Sequence, residues 1–268
     1  MKEGPLQYGV PSDAQGQRPA RVAIRCVAVD AVGTLIEADP PVADAYAEVG
    51  RRHGSGLDRD EVDRRLSAAF AACSERDREA GAGGLVTSEE LEWSRWRWIV
   101  GEVFLELGAD GAGGAVDRCF EELFEHFGRA SAWRCYDDVG ATVSRIEQLG
   151  LGMVIASNFD RRLHTVCAGW PVLKSARAVV VSSEVGWRKP GREFFEALVT
   201  ACGCRAEEVL MVGDDRVNDV EGALSNGLQA VHVDRYRYGN AVPGAPERAR
   251  VSPPSVIGSL IELEAWYR

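Results

Sequence analysis

Lysine is scarce: Lys2, Lys174 and Lys189 are the only lysines among 31 basic residues, the rest being arginine, in a chain of 268. Where arginine serves as the general surface cation, a lysine standing just ahead of a helix marks a place where a compact ammonium is wanted. Long apolar runs are absent. No window approaches the ~18 consecutive apolar residues of a membrane helix, so a spanning or anchored protein is excluded. A basic stripe is also missing, and the net charge of -10 repels polyanions, which excludes a nucleic-acid partner. Residues 1–20 hold Gly, Pro, Gln and Ser but no apolar core of a secretory signal, and are expected to be a disordered amino-terminal segment. The 7 cysteines are odd in number and only Cys202 and Cys204 lie close together. With no second Cys or His pair beside them they make neither a disulfide framework nor a zinc site, and reduced thiols in a cytoplasmic setting are expected.

Five short apolar runs are present: Val27 to Val29, Met153 to Ala156, Ala178 to Val181, Val209 to Val212 and Ala230 to Val233. Each has strand length and is followed closely by a polar residue or glycine, the pattern of parallel strands buried on both faces. Helical spacing lies between them, as in Val139, Val143, Ile146 and Leu149, or Phe194, Leu198 and Cys202. Strand alternating with helix implies an α/β fold with helices on both faces of a parallel sheet.

One interval breaks the rhythm. Glu37 to Cys135 shows no convincing strand, only four helical stretches near 42–53, 58–80, 88–107 and 115–127, with glycine-rich breaks at 81–84 and 108–114. Thr87 and Glu90 read as a capping box for the third. The division expected is a core of 21–36 and 136–268 with an all-helical insert of 37–135. Trp93, Trp96 and Trp98 fall on two stripes of the third helix, where packing between helices accounts for most of them. Arg51, Arg52, Arg95 and Arg97 are candidates to meet a substrate anion across a cleft, or else lie on exposed helix faces. His53, His126, His164 and His232 have no partner in any motif. After a proline-rich loop at 242–254, a closing helix is expected from Ser255 to Trp266.

Ligands of open parallel sheets bind beyond the carboxyl ends of the strands. The first strand runs into Asp30-Ala31-Val32-Gly33-Thr34, a carboxylate at the mouth of the sheet followed by a tight turn and a hydroxyl. The second ends in Ser157-Asn158-Phe159-Asp160, whose short polar side chains and backbone N–H groups suit anionic oxygens or helix capping. Lys189-Pro190 follows the third, with Pro190 suited to the first turn of the helix carrying Phe194. The fourth leads to Asp214, Asp215 and Asp219, hard oxygens that repel one another unless a cation such as Mg²⁺ joins them.

Taken in order, these signatures resemble the haloacid dehalogenase-like superfamily, in the group whose helical cap is inserted after the first motif. The resemblance implies a Rossmann-like, doubly wound core. It implies nucleophilic attack by Asp30 on a small anionic substrate and Mg²⁺ held by Asp30, the Val32 carbonyl and Asp214, with Asp215 and Asp219 as supporting or alternative ligands. Thr34, Ser157, Asn158 and Lys189 would hold phosphate oxygens, Lys189 also serving Asp30.

One position departs from the phosphatase pattern. A second Asp usually stands two residues after the nucleophile to protonate the leaving oxygen, and here Val32 occupies that place. Positioned acid–base catalysis contributes about 10² to 10⁴ in rate. Three readings therefore stay open: a Mg²⁺-dependent phosphatase, a metal-independent 2-haloacid dehalogenase, and a weakly active protein that binds phosphate and metal. That 37–135 holds no lysine argues against phosphonate cleavage through a cap lysine. A monomer and a homodimer are equally compatible with the sequence.

Overall fold

A computed structural model describes residues 22–109, 114–235 and 256–267. The amino-terminal segment 1–20 and the 242–254 loop lie outside the described residues. In chain order come β1 (Cys26–Val29), β2 (Ile36–Ala38), α1 (Val42–Arg52), α2 (Arg59–Glu79), α3 (Glu89–Val103), α4 (Leu105–Ala109), α5 (Ala115–His126) and β3 (Trp133–Cys135). There follow α6 (Val139–Gln148), β4 (Gly152–Ser157), α7 (Arg162–Ala168), β5 (Ala178–Val181), α8 (Ser182–Val185), α9 (Arg192–Cys202), β6 (Val209–Gly213), α10 (Gly222–Ser225), β7 (Gln229–Val233) and β8 (Val256–Ile257).

Six strands form one parallel sheet in the order β5-β4-β1-β6-β7-β8. Successive side chains of a strand point to opposite faces, and both faces here are apolar. Val27 and Val29 join Ile155, Val212 and Val231 under α6 and α7, while Cys26 and Ala28 join Val154, Ala156 and Met211 under α9 and α10. That double burial is why the strands read as unbroken apolar runs. All five expected runs are strands.

The helical insert lies between β2 and β3, and α1, α2, α3 and α5 close around their own apolar cluster, including Tyr46, Leu66, Val103, Phe104 and Phe120. Several local expectations are corrected. Two three-residue strands, β2 and β3, pair antiparallel at the ends of the interval that looked strandless. The third helix stops at Val103, where the wholly buried Phe104 adopts φ -110 and ψ 41 before α4 begins. Ser88, not Thr87, caps α3, its hydroxyl accepting from Leu91 N. Pro190 precedes α9, which starts at Arg192 after Gly191. In place of a closing α-helix, β8 adds an edge strand and Leu260–Trp266 forms a 3₁₀ helix. Among the described residues no helix is long and apolar enough to cross a membrane.

Candidate active site

Strand order places the end of β1 between the ends of β4 and β6, with Val29 level with Ile155 on one side and Val212 on the other. Asp30 follows directly, its N–H donating to Val212 O at 2.8 Å. The chain then turns sharply at Gly33, whose φ of +83 suits glycine. A Cβ at Gly33 would also collide with the Asp214 carboxylate, so glycine makes room for that side chain.

Lys189 reaches the same point from the loop after β5 and α8. Its buried ammonium donates to Asp30 Oδ1 at 2.7 Å, Ala156 O at 2.9 Å and Asp219 Oδ1 at 2.5 Å. Burial alone pulls an ammonium pKa down, but Asp219 and Asp30 more than reverse this and hold Lys189 above its ordinary range. Asp219 is itself raised, first by burial. Its other oxygen accepts from Asp215 N at 3.0 Å. Gly213 leaves the space this carboxylate occupies, since a Cβ there would run into it.

Asp214 completes the group. One carboxylate oxygen from each of Asp30, Asp214 and Asp219 lies within 4.8 Å of the others. Desolvation at the strand ends, then the Asp30 charge, push the Asp214 carboxyl up to about 6. Three carboxylates around one ammonium leave an excess of negative charge that a divalent cation would relieve. An all-oxygen donor set of this kind fits Mg²⁺.

The other expected site residues are distributed as follows. Thr34 is fully buried, and its hydroxyl donates to Asp214 Oδ1 at 3.3 Å. Ser157 ends β4, buried. Asn158 holds the Lys189 backbone: Oδ1 accepts from Lys189 N at 2.8 Å and Nδ2 donates one N–H to Lys189 O at 3.0 Å. Asp215 stands apart from the carboxylate group and caps the following helical turn, accepting from Val217 N and Asn218 N at 2.9 Å each. The reason is local, because an aspartate just before a helical turn finds free N–H groups there.

The candidate arginines resolve to ion pairs: Arg51 and Arg52 with Glu48 and Arg97 with Asp117 on exposed faces, and Arg95 with Asp77 in a partly buried one. His232 Nε2 lies 2.9 Å from Asp214 O, beneath the site. Two buried ion pairs were not legible as functional. Arg162 makes a two-point contact with Asp160, and Arg188 meets Glu92 of α3. The first had a weak signal, an arginine two residues after a strand-end aspartate. The second had none, its partners lying 96 residues apart.

Between the strand ends and the helical insert lies a cavity of about 380 Å³. Val32 and Asn158 border it from the core, and Tyr46, Leu66, Phe70, Trp96 and Phe124 from the insert. Trp96 is the one tryptophan of α3 that reaches it, standing edge-on to Phe70. Trp93 instead packs edge-on against Phe120.

The haloacid dehalogenase-like hydrolase model matches residues 24–227. The chain belongs to that hydrolase family. Within the family, Haloacid dehalogenase-like hydrolase domain-containing protein 3 of Bos taurus is 27% identical over 210 residues, covering 78% of this chain and 82% of the relative. A phosphoserine phosphatase of Thermus thermophilus is 32% identical over 155 residues, covering 57% of this chain and 59% of the relative. The solved L-2-haloacid dehalogenase of Xanthobacter autotrophicus shares the fold, with a TM-score of 0.59 and 18% identity over 90% of this chain and 96% of that one.

Proposed function

We propose that the protein is a Mg²⁺-dependent phosphohydrolase of a small phosphorylated metabolite, acting through an aspartyl-phosphate on Asp30. The supporting observation is the meeting of Asp30, Asp214 and Lys189 at adjacent strand ends. Asp30, Asp214 and the Val32 carbonyl would hold Mg²⁺, which when bound supplies the positive charge that screens a carboxylate from an approaching phosphate. Asp30 attacks phosphorus and the ester oxygen leaves; water then cleaves the acyl phosphate and restores the carboxylate. Lys189 orients Asp30 through the bond to its Oδ1, and with Thr34 and Ser157 stabilises the transferring oxygens. Asp219 positions Lys189, and Asp215 orders the turn that carries Asp219.

The test is phosphate release from a panel of phosphomonoesters with and without Mg²⁺, in the wild type and in Asp30→Asn. Metal-dependent release lost in Asp30→Asn is expected. A second reading, halide displacement from 2-haloacids, draws on Val32, which puts an apolar side chain where a proton donor would stand. Halide release indifferent to chelator, with no phosphate released, would replace the first reading by the second. Silence in both assays together with Mg²⁺ and phosphate binding would leave a binding protein.

A further inference from the structure

We infer that the substrates are phosphate monoesters of uncharged aromatic hydroxyls, one or two fused rings in size, whose leaving oxygen departs without taking up a proton. This rests on the phosphohydrolase reading and adds the chemical class of the leaving group. Two independent observations lead to it, one from the walls of the cavity and one from the catalytic loop.

The cavity is built mostly from aromatic and aliphatic side chains, and two of its borders on the core side, Val32 and Asn158, follow closely on Asp30 and Ser157 in the chain. A phosphoryl group at Asp30 therefore directs its organic part into this space. The charged lining residues are Asp63, exposed on α2, and Arg162. All three Arg162 nitrogens already donate within the protein: Nε and Nη2 to Asp160 at 2.8 and 2.7 Å, and Nη1 to Phe124 O at 2.5 Å. The guanidinium carbon lies over the Phe124 ring, 3.4 Å from its centroid. The Arg162 charge is already matched by Asp160, so a second phosphate or a carboxylate on the substrate would gain little there, and Asp63 would repel it. Sugar hydroxyls would lose their water with few partners in return, at about 1–3 kcal/mol for each unmet group. Flat apolar rings lose nothing by entering, and Trp96, Phe70 and Phe124 offer faces and edges for them.

The catalytic loop makes the same selection by another route. Val32 lines the cavity where a phosphatase of this pattern would carry its acid. The Tyr46 phenol, also on the wall, is a poor proton donor because burial raises it well above its ordinary value. An alkoxide must be protonated as it departs. A phenoxide, the base of a group that ionises near ~10 as tyrosine does, can leave as the anion. The balanced reaction is as follows: an Asp30 oxygen forms the bond to phosphorus while the P–O(aryl) bond breaks, its electron pair leaving on the aryl oxide. Water then adds to phosphorus, Asp30 departs as carboxylate, and phosphate and a proton go to solvent.

Full-length protein with Mg²⁺ would be assayed on substituted phenyl phosphates, 1-naphthyl phosphate, butyl phosphate, glycerol phosphate and a hexose phosphate. The expected kcat/KM for the aryl esters exceeds that for the alkyl esters by at least about 10², the contribution of the missing acid, and falls steadily as the leaving phenol becomes more basic. Phe70→Ala, at a partly exposed lining position, is expected to raise KM for 1-naphthyl phosphate about tenfold and leave inhibition by inorganic phosphate unchanged. Val32→Asp is expected to raise the turnover of butyl phosphate relative to that of 4-nitrophenyl phosphate by about 10² to 10⁴. Equal turnover of hexose and aryl phosphates, or no dependence on the leaving phenol, overturns this inference and leaves the phosphohydrolase reading standing. No phosphate release from any ester overturns both. The wild-type series decides these outcomes even if neither variant folds.

Discussion

Asn158 grips the backbone of Lys189 from both sides, accepting from its N–H at 2.8 Å and donating to its carbonyl at 3.0 Å. The pair lies 31 residues apart and joins the loop after β4 to the loop that presents the ammonium. Asn158→Ala removes both bonds and frees the Lys189 backbone. Displacements of about 1 Å at a reacting centre cost on the order of 10² in rate, so kcat for phosphate release is expected to fall about that far with KM little changed. A fall in KM-controlled binding alone, with kcat intact, would show that Asn158 serves the substrate and not Lys189.

Gly33 and Asp214 make the metal prediction independent of turnover. The positive φ of Gly33 and the lack of a Cβ together admit the Asp214 carboxylate beside Asp30. A ligand that binds only the folded state raises its stability by mass action, about 2.7 kcal/mol at a hundredfold excess over Kd. Added Mg²⁺ is therefore expected to raise the unfolding midpoint of the wild type and to leave that of Asp214→Asn unmoved. Gly33→Ala should behave like Asp214→Asn toward Mg²⁺, with a lower starting midpoint from backbone strain. An undiminished Mg²⁺ shift in Asp214→Asn would remove Asp214 from the metal site.

How far the sequence carried depends on what kind of interaction made each feature. Strands β1, β4, β6 and β7 were legible because burial on both faces leaves an unbroken apolar run, and the edge strand β5 because its four residues are all apolar; the strand-end rule then pointed to Asp30, Lys189 and Asp214. Strands β2, β3 and β8 were not legible, since two or three residues cannot show a period. Asp215 and Asp219 looked alike as neighbouring carboxylates. Only coordinates separate the one that caps a turn from the one that holds Lys189. The hold of Asn158 on the Lys189 backbone was not legible either, because an amide suits an anion and a peptide backbone equally well. Glu92–Arg188 and the apolar wall formed by Phe70, Trp96 and Phe124 depend on how the helices sit against the sheet, which no local pattern encodes.

Asp138 supplies a pH dependence of stability. Its carboxylate, buried at the start of α6, accepts from Arg235 Nη1 at 2.6 Å, Ser259 Oγ at 2.7 Å and Leu260 N at 2.8 Å. Burial raises its pKa, but Arg235 and the other donors outweigh this and hold it below its ordinary value. A carboxylate depressed in the folded state stabilises the fold fully above its unfolded value of about 3.9, and that contribution is lost as pH falls through the depressed value. The unfolding midpoint is expected to drop more steeply below about pH 4 in the wild type than in Asp138→Asn. Identical acid profiles would show that other carboxylates carry the acid sensitivity.

Glu92 ties the helical insert to the loop that carries Lys189. It is almost fully buried in α3, where its Oε1 accepts from the Thr87 hydroxyl at 2.6 Å and from Arg188. Arg188 N in turn donates to Leu85 O at 2.8 Å, and Thr87 N to Gly186 O at 3.0 Å, so the chain entering α3 runs against the loop leading to Lys189. Removing one partner of a buried pair strands the other charge and costs about 3–5 kcal/mol. Arg188 retains some contact with water, which places Glu92→Gln toward the lower end. The double change Glu92→Leu with Arg188→Met leaves no orphaned charge and should be more stable than Glu92→Gln alone. If the pair served stability only, this double variant would keep wild-type kcat. Because Arg188 adjoins Lys189, we expect kcat to fall while the unfolding midpoint recovers. Recovery of both in one variant would confine the pair to holding the insert in place.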